Sequence, residues 1–135
     1  MRRSVVRIAM AGLTGVFLMA LLSCGQDQRL VAVLITPNDF TYTNPQVGLL
    51  VTFTARGQFV HPPETRDISA SVVWNSPFAA IFTVDPITGV ANYVGGCGTN
   101  LTVSATASSN LRVPPAGNIV TGAALVNIVQ KDCTA

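Results

Sequence analysis

Leu101, Val103, Ala105 and Ala107 alternate without a break against Thr102, Ser104 and Thr106. A period of two puts every second side chain on the same face of an extended chain, so this segment predicts a strand with one buried face. The same period runs through residues 50–56, with Val51, Phe53 and Ala55 on one side and Thr52, Thr54 and Arg56 on the other. A helix buries positions i, i+3, i+4 and i+7, a pattern that neither segment follows. These alternations restrict the chain to β structure more strongly than any other feature.

Further β-rich runs follow the same rule. Residues 30–36 are stopped by Pro37-Asn38-Asp39, and 72–75 centre on Trp74 and end at Ser76-Pro77. Residues 81–84 and 90–94 flank Asp85-Pro86-Ile87-Thr88-Gly89, whose proline and glycine suit successive turn positions. The last run, 123–129, is apolar on both sides, which leaves its inward face open. His61-Pro62-Pro63-Glu64-Thr65-Arg66-Asp67 reads as a polar loop, and Pro114-Pro115 lies in another. Asp85 is expected to hydrogen-bond its own turn, and Gly89 and Gly98 to supply backbone conformations closed to other residues. Seven strands with no helical periodicity after residue 24 predict an all-β, antiparallel Greek-key sandwich over 30–135. Its expected core includes Trp74, Val51, Phe53, Leu101 and Val103.

Ahead of the strands, Arg2, Arg3 and Arg7 precede an apolar stretch, 8–22, that ends Leu21-Leu22-Ser23-Cys24. A basic head, a short apolar segment and a small residue before the cut describe a secretory signal peptide. At 15 residues the stretch falls short of the roughly 20 that a spanning helix needs. The ending resembles the lipobox of bacterial lipoproteins. That resemblance implies cleavage between Ser23 and Cys24, with 1–23 as signal peptide, and multiple acylation of Cys24, with 24–29 as a lipidated tether. The membrane would then be a partner through that lipid, since two or more chains anchor firmly. An ordinary cleaved signal and an uncleaved anchor are the alternatives.

The formal charge of +2 belongs to the leader, because residues 24–135 hold five basic and six acidic side chains. No basic patch remains for nucleic acid. With Cys24 acylated, Cys97 and Cys133 are the one intramolecular pair left, and an exported chain keeps such a pair as a disulfide. Two free thiols are the alternative. With His61 the pair makes no zinc site, and Asp39, Asp67 and Asp85 lack calcium-loop spacing, so no metal and no cofactor are expected.

Taken in order, the segments resemble a known family. Ile35-Thr36-Pro37 closes an opening strand, and a second strand leads to Gly57. Arg66-Asp67-Ile68-Ser69 precedes Val72-Val73-Trp74-Asn75-Ser76, and Phe82-Thr83-Val84-Asp85 leads to Gly89-Val90-Ala91. Gly98-Thr99-Asn100-Leu101-Thr102-Val103-Ser104-Ala105 follows. The set resembles the group 2 bacterial immunoglobulin-like domains, of the invasin and intimin superfamily type, over about residues 30–130. The resemblance implies an immunoglobulin-like sandwich. The cysteine pair, the loop at 61–65 and the loop at 110–118 depart from it.

No catalytic set is legible. His61 stands before two prolines, no serine has nucleophile-elbow surroundings, and Glu64 and Asp67 form no recognisable acid–base pair. Asn100-Leu101-Thr102 matches a glycosylation sequon that a bacterial lipoprotein would not ordinarily use. The expectation is a non-enzymatic, lipid-anchored module of the bacterial cell envelope, on the outer membrane in preference to the inner, serving structure or protein interaction. Its partners would be envelope proteins, met through loops or an edge strand. The alternative is an adhesin-like module for carbohydrate, cell wall or host surface, for which Tyr42, Phe59 and Phe78 are the candidate aromatics.

Overall fold

The computed structural model describes residues 28–111 and 118–133. Ser23, Cys24 and the whole leader lie outside them, as does Pro114-Pro115. The described residues form ten strands: β1 (Arg29–Thr36), β2 (Phe40–Thr43), β3 (Leu50–Thr52), β4 (Thr54–Val60), β5 (Glu64–Asp67), β6 (Val73–Asn75), β7 (Phe82–Val84), β8 (Val90–Tyr93), β9 (Gly98–Ser108) and β10 (Ile119–Val129). A single 3-10 turn, Ser69–Ser71, is the one helical element among them. The all-β reading holds, with more strands than the seven expected.

The strands form three hydrogen-bonded sheets, β1-β4-β5, β3-β8-β7 and β2-β10-β9-β6. The run 50–56 was expected as one strand and is shared between two sheets. β3 pairs with β8, β4 pairs with β1 and β5, and the Phe53 amide donates to the Gly89 carbonyl at 3.0 Å. Its burial still alternates through the break, with Phe53, Ala55, Gly57 and Phe59 inward. The first two sheets therefore make one interrupted layer of a sandwich, and β2-β10-β9-β6 makes the other. The two meet closely where β10 crosses β1. A methyl group on Gly122 would run into the carbonyl of Val33, so only glycine permits this approach.

Not every pair is antiparallel. β2 runs parallel to β10, from Phe40 beside Val126 to Thr43 beside Val129. Short and remote in sequence from its partner, β2 has no hairpin to announce it. Pro37 and Asn38 carry the chain from the β1 layer to the other sheet, where two asparagines extend the new ladder. Asn38 Oδ1 accepts from the Leu125 amide at 3.0 Å, and Asn44 Oδ1 from the Lys131 amide at 2.8 Å. Residues 64–67, expected in a loop, form the edge strand β5. All four side chains are exposed, so no apolar alternation marks it; its register against β4 does.

Core residues from all three sheets form one cluster. Trp74 is 1% exposed, Val103 0%, Phe53 2% and Leu101 3%, while Val51 is half-buried against them. Along β10 the inward face is Gly122, Ala124, Val126 and Ile128, the side that the sequence left open. Gly98 has no left-handed backbone; its missing side chain makes room for Leu101 and Ile81 instead. Left-handed backbone falls on Asn100, at φ 56°, in a β9 bulge whose amide donates to Asn127 Oδ1 at 2.8 Å. Asparagine tolerates that conformation because its short side chain bonds locally.

Candidate functional site

Every charged residue carried by a strand (Arg29, Arg56, Glu64, Arg66 and Asp67) lies in β1-β4-β5, and the other two sheets have none. The chain enters at this charged end, where the Leu30 amide donates to Ser109 and Arg29 pairs with Val60. There Gln28 bridges the ion pair, donating to Glu64 at 2.6 Å and accepting from Arg66 at 3.1 Å. The Arg66 guanidinium lies 4.2 Å over the Phe59 ring. Arg66 and Glu64 are 3.6 Å apart and 43% and 44% exposed, so the pair adds well under about 1 kcal/mol. Its effect is on association, because charge on an edge strand blocks another strand from adding there.

The opposite end differs. Between Asp39 and Arg56 the chain carries no charge. Here β2 and β3 edge the two layers side by side, and their seam is apolar, lined by Tyr42, Pro45, Leu49, Val51 and Phe53. The void beneath is about 20 Å³, room for one water and not for a small-molecule ligand. Around it Val47 is 72% and Leu50 64% exposed.

The residues singled out from the sequence do not converge on one site. Cys97 and Cys133 are bonded, with Cα atoms 6.3 Å apart, and tie the start of β9 to the tail of β10. The three aromatics do not make a platform: Phe59 is buried in β4, Phe78 is half-buried, and Tyr42 packs at a tilt against Phe40 in β2, ring centroids 4.7 Å apart. His61 sits at the tip of the β4–β5 hairpin with φ 60°. Among the described residues no three potential metal ligands cluster. The sequence reading missed β2 and its asparagine clamps. Their one sequence signal was Asn38 and Asn44 bracketing an uncharged Thr/aromatic alternation.

Two carboxylates hold turns. Asp85 Oδ1 accepts from the amides of Thr88 at 2.7 Å and Ile87 at 2.9 Å, and these bonds lower its pKa. Asp67 Oδ1 accepts from the Ser69 amide at 2.8 Å, which lowers its pKa too, helped by the Ser69 hydroxyl and the charge on Arg56. Ser69 in turn donates to the Ala55 carbonyl and accepts from its amide, closing β4. A depressed folded pKa means that these bonds stabilise above the ordinary carboxylate range and are lost as pH falls through it. The melting temperature is therefore expected to fall as pH drops from about 5 through and below the ordinary carboxylate range, and to fall less in Asp67→Asn/Asp85→Asn. Identical pH profiles for the two proteins would contradict that assignment.

Neither a scan against protein-family models nor a search of curated proteins finds a match to this chain.

Proposed function

We propose that the chain is a lipid-anchored module of the bacterial cell envelope, non-catalytic, with a structural or protein-interaction role. In this reading it is exported, cleaved before Cys24 and held at the membrane by lipid on that cysteine. The body would be an immunoglobulin-like Greek key of the group 2 bacterial type. Two features of the strand order support that fold: β2 and β10 pair in parallel, and β1 and β2 are split between the layers.

The observation that carries the functional reading is the polarity of the sandwich. Four residue steps separate Cys24 from Gln28 and span at most about 14 Å, which holds the charged end close to the membrane. The run from Val60 to Leu50 then rises about 30 Å to the apolar seam. Such a body is a spacer with a free edge at its far end. Its surfaces, not an enclosed pocket, are what it offers to partners. Among the described residues Phe40 is the one exposed aromatic, which gives the glycan-binding alternative little support.

The test is Cys24→Ser in the full chain. The variant is expected to leave the membrane fraction and to lose palmitate labelling. Retained labelling or unchanged membrane association would reject the anchor.

A further inference from the structure

We propose that the Cys97–Cys133 bond is a redox-operated latch: cutting it frees the tail of β10 and opens the apolar seam while the rest of the sandwich stays folded. Beyond Val129 the tail is no longer part of a strand ladder. Among the described residues two attachments hold it. On one side the Lys131 amide donates to Asn44 Oδ1 at 2.8 Å, and Gln130 Nε2 donates to the Pro45 carbonyl at 3.3 Å. On the other side Cys133 is bonded to Cys97, the residue before β9. The Cys133 amide donates to the Gln130 carbonyl at 3.2 Å, so the bonded residue and the one that reaches Pro45 belong to one turn.

These contacts close a belt round the seam. Tyr93 Oη donates to the Gly96 carbonyl at 2.6 Å, and Cys97 follows in the chain. The disulfide carries the belt to Cys133, and Gln130 carries it on to Pro45. From there it returns through the Gly48 amide, which donates to the Tyr93 carbonyl at 2.9 Å. Pro45, Leu49 and Tyr93, which line the apolar void, lie in this belt or next to it. Residues 46–50 are exposed, so burial contributes little to holding them in place. With the disulfide cut, the tail keeps only hydrogen bonds of about 1 kcal/mol each, and segments held that way open locally. The ladder from Leu101 to Ser108 against β10 does not involve the tail and keeps its pairing.

The bond can be reached. Both cysteines are half-buried and line an open cleft of about 390 Å³ together with Gly98, Thr99 and Gln130. The reaction is thiol–disulfide exchange with a dithiol reductant. A thiolate of the dithiol attacks one sulfur, forms a mixed disulfide and expels the other cysteine as thiolate. The second thiolate of the reductant then attacks the mixed disulfide and releases the first cysteine. Two electrons and the two protons given up by the dithiol end on Cys97 and Cys133 as thiols, and the dithiol becomes a disulfide.

The experiment is pulsed hydrogen exchange of the full chain, oxidised and after treatment with dithiothreitol, read by mass spectrometry. The pulse is kept short enough that residues 101–107 of β9 stay protected in both forms, and blue-shifted Trp74 emission reports an intact fold. Residues 44–49 include three bonded amides, those of Asn44, Gly48 and Leu49. Reduction is expected to speed their exchange by about tenfold or more. Asn44→Gly/Gln130→Ala removes the tail's hold on 44–45 and leaves the disulfide intact. In that variant the same amides should exchange at the fast rate when oxidised and gain nothing on reduction. The latch would be overturned by equal exchange in the two forms of the unsubstituted chain, by opening of 44–49 only together with 101–107, or by a variant that still responds to reduction. A disulfide that dithiothreitol leaves intact in the folded chain would overturn it too. None of these readouts depends on the lipid anchor.

Discussion

Trp74→Ala is expected to lower folding stability by about 3–5 kcal/mol, the cost of emptying a large aromatic site that cannot fully collapse. The indole is the largest fully buried side chain, and it packs against Phe53 with ring centroids 6.4 Å apart. Its N–H donates to the Ser69 carbonyl at 3.4 Å, so truncation also leaves that carbonyl, in the turn that closes β4, without its donor. Beneath the ring is Gly89, at φ 69°, where an added methyl carbon would stand 2.6 Å from Trp74 Cε2. Gly89→Ala thus carries two penalties, about 1–2 kcal/mol for a left-handed alanine and about 1–3 kcal/mol for overpacking. The two sites touch, so their effects are not additive. In a Trp74→Ala background the clash disappears and only the backbone penalty of Gly89→Ala remains. Urea denaturation of the four proteins measures the coupling, and a coupling of zero would show that the glycine serves the backbone alone.

Reducing the disulfide is expected to remove about 3–4 kcal/mol, the chain-entropy value for a closed loop of this length. Cys97 and Cys133 are 36 residues apart, and the loop between them contains both long strands, β9 and β10. These strands carry much of the core, including Leu101, Val103, Ala105, Ala124 and Val126. Unfolding with the bond intact leaves their far ends joined, which limits the entropy the chain gains. The urea midpoint should drop on reduction, and the slope should steepen as the uncrosslinked chain exposes more surface. Cys97→Ser/Cys133→Ser should behave like the reduced protein. A midpoint indifferent to reductant would mean that the bond restrains nothing in the unfolded chain.

What could be read in advance follows from where side chains carry information. Along β9 the alternation is clean because one face packs inward and the other is hydroxyl-bearing, so composition and burial agree residue by residue. Asp85 was legible for a similar reason, since its bonds to Ile87 and Thr88 stay within three residues. β5 was not, because an exposed edge strand needs no apolar side chains and is defined by backbone pairing alone. β2 escaped notice because its partner is more than eighty residues away. The position of the seam, and with it the candidate site, depends on where β1 stops alongside β4.

By itself the sequence determined that the chain builds a layered β body around Trp74 and that two of its cysteines are available to each other. It determined these because side-chain period and residue chemistry are local properties. Only the tertiary structure decided that the run 50–56 serves two sheets, that β2 joins β10 in parallel, and that strand-borne charge falls in one sheet. Those outcomes depend on backbone hydrogen bonds between distant segments, whose N–H and C=O groups are the same in every residue but proline. No pattern of side chains can record them in advance.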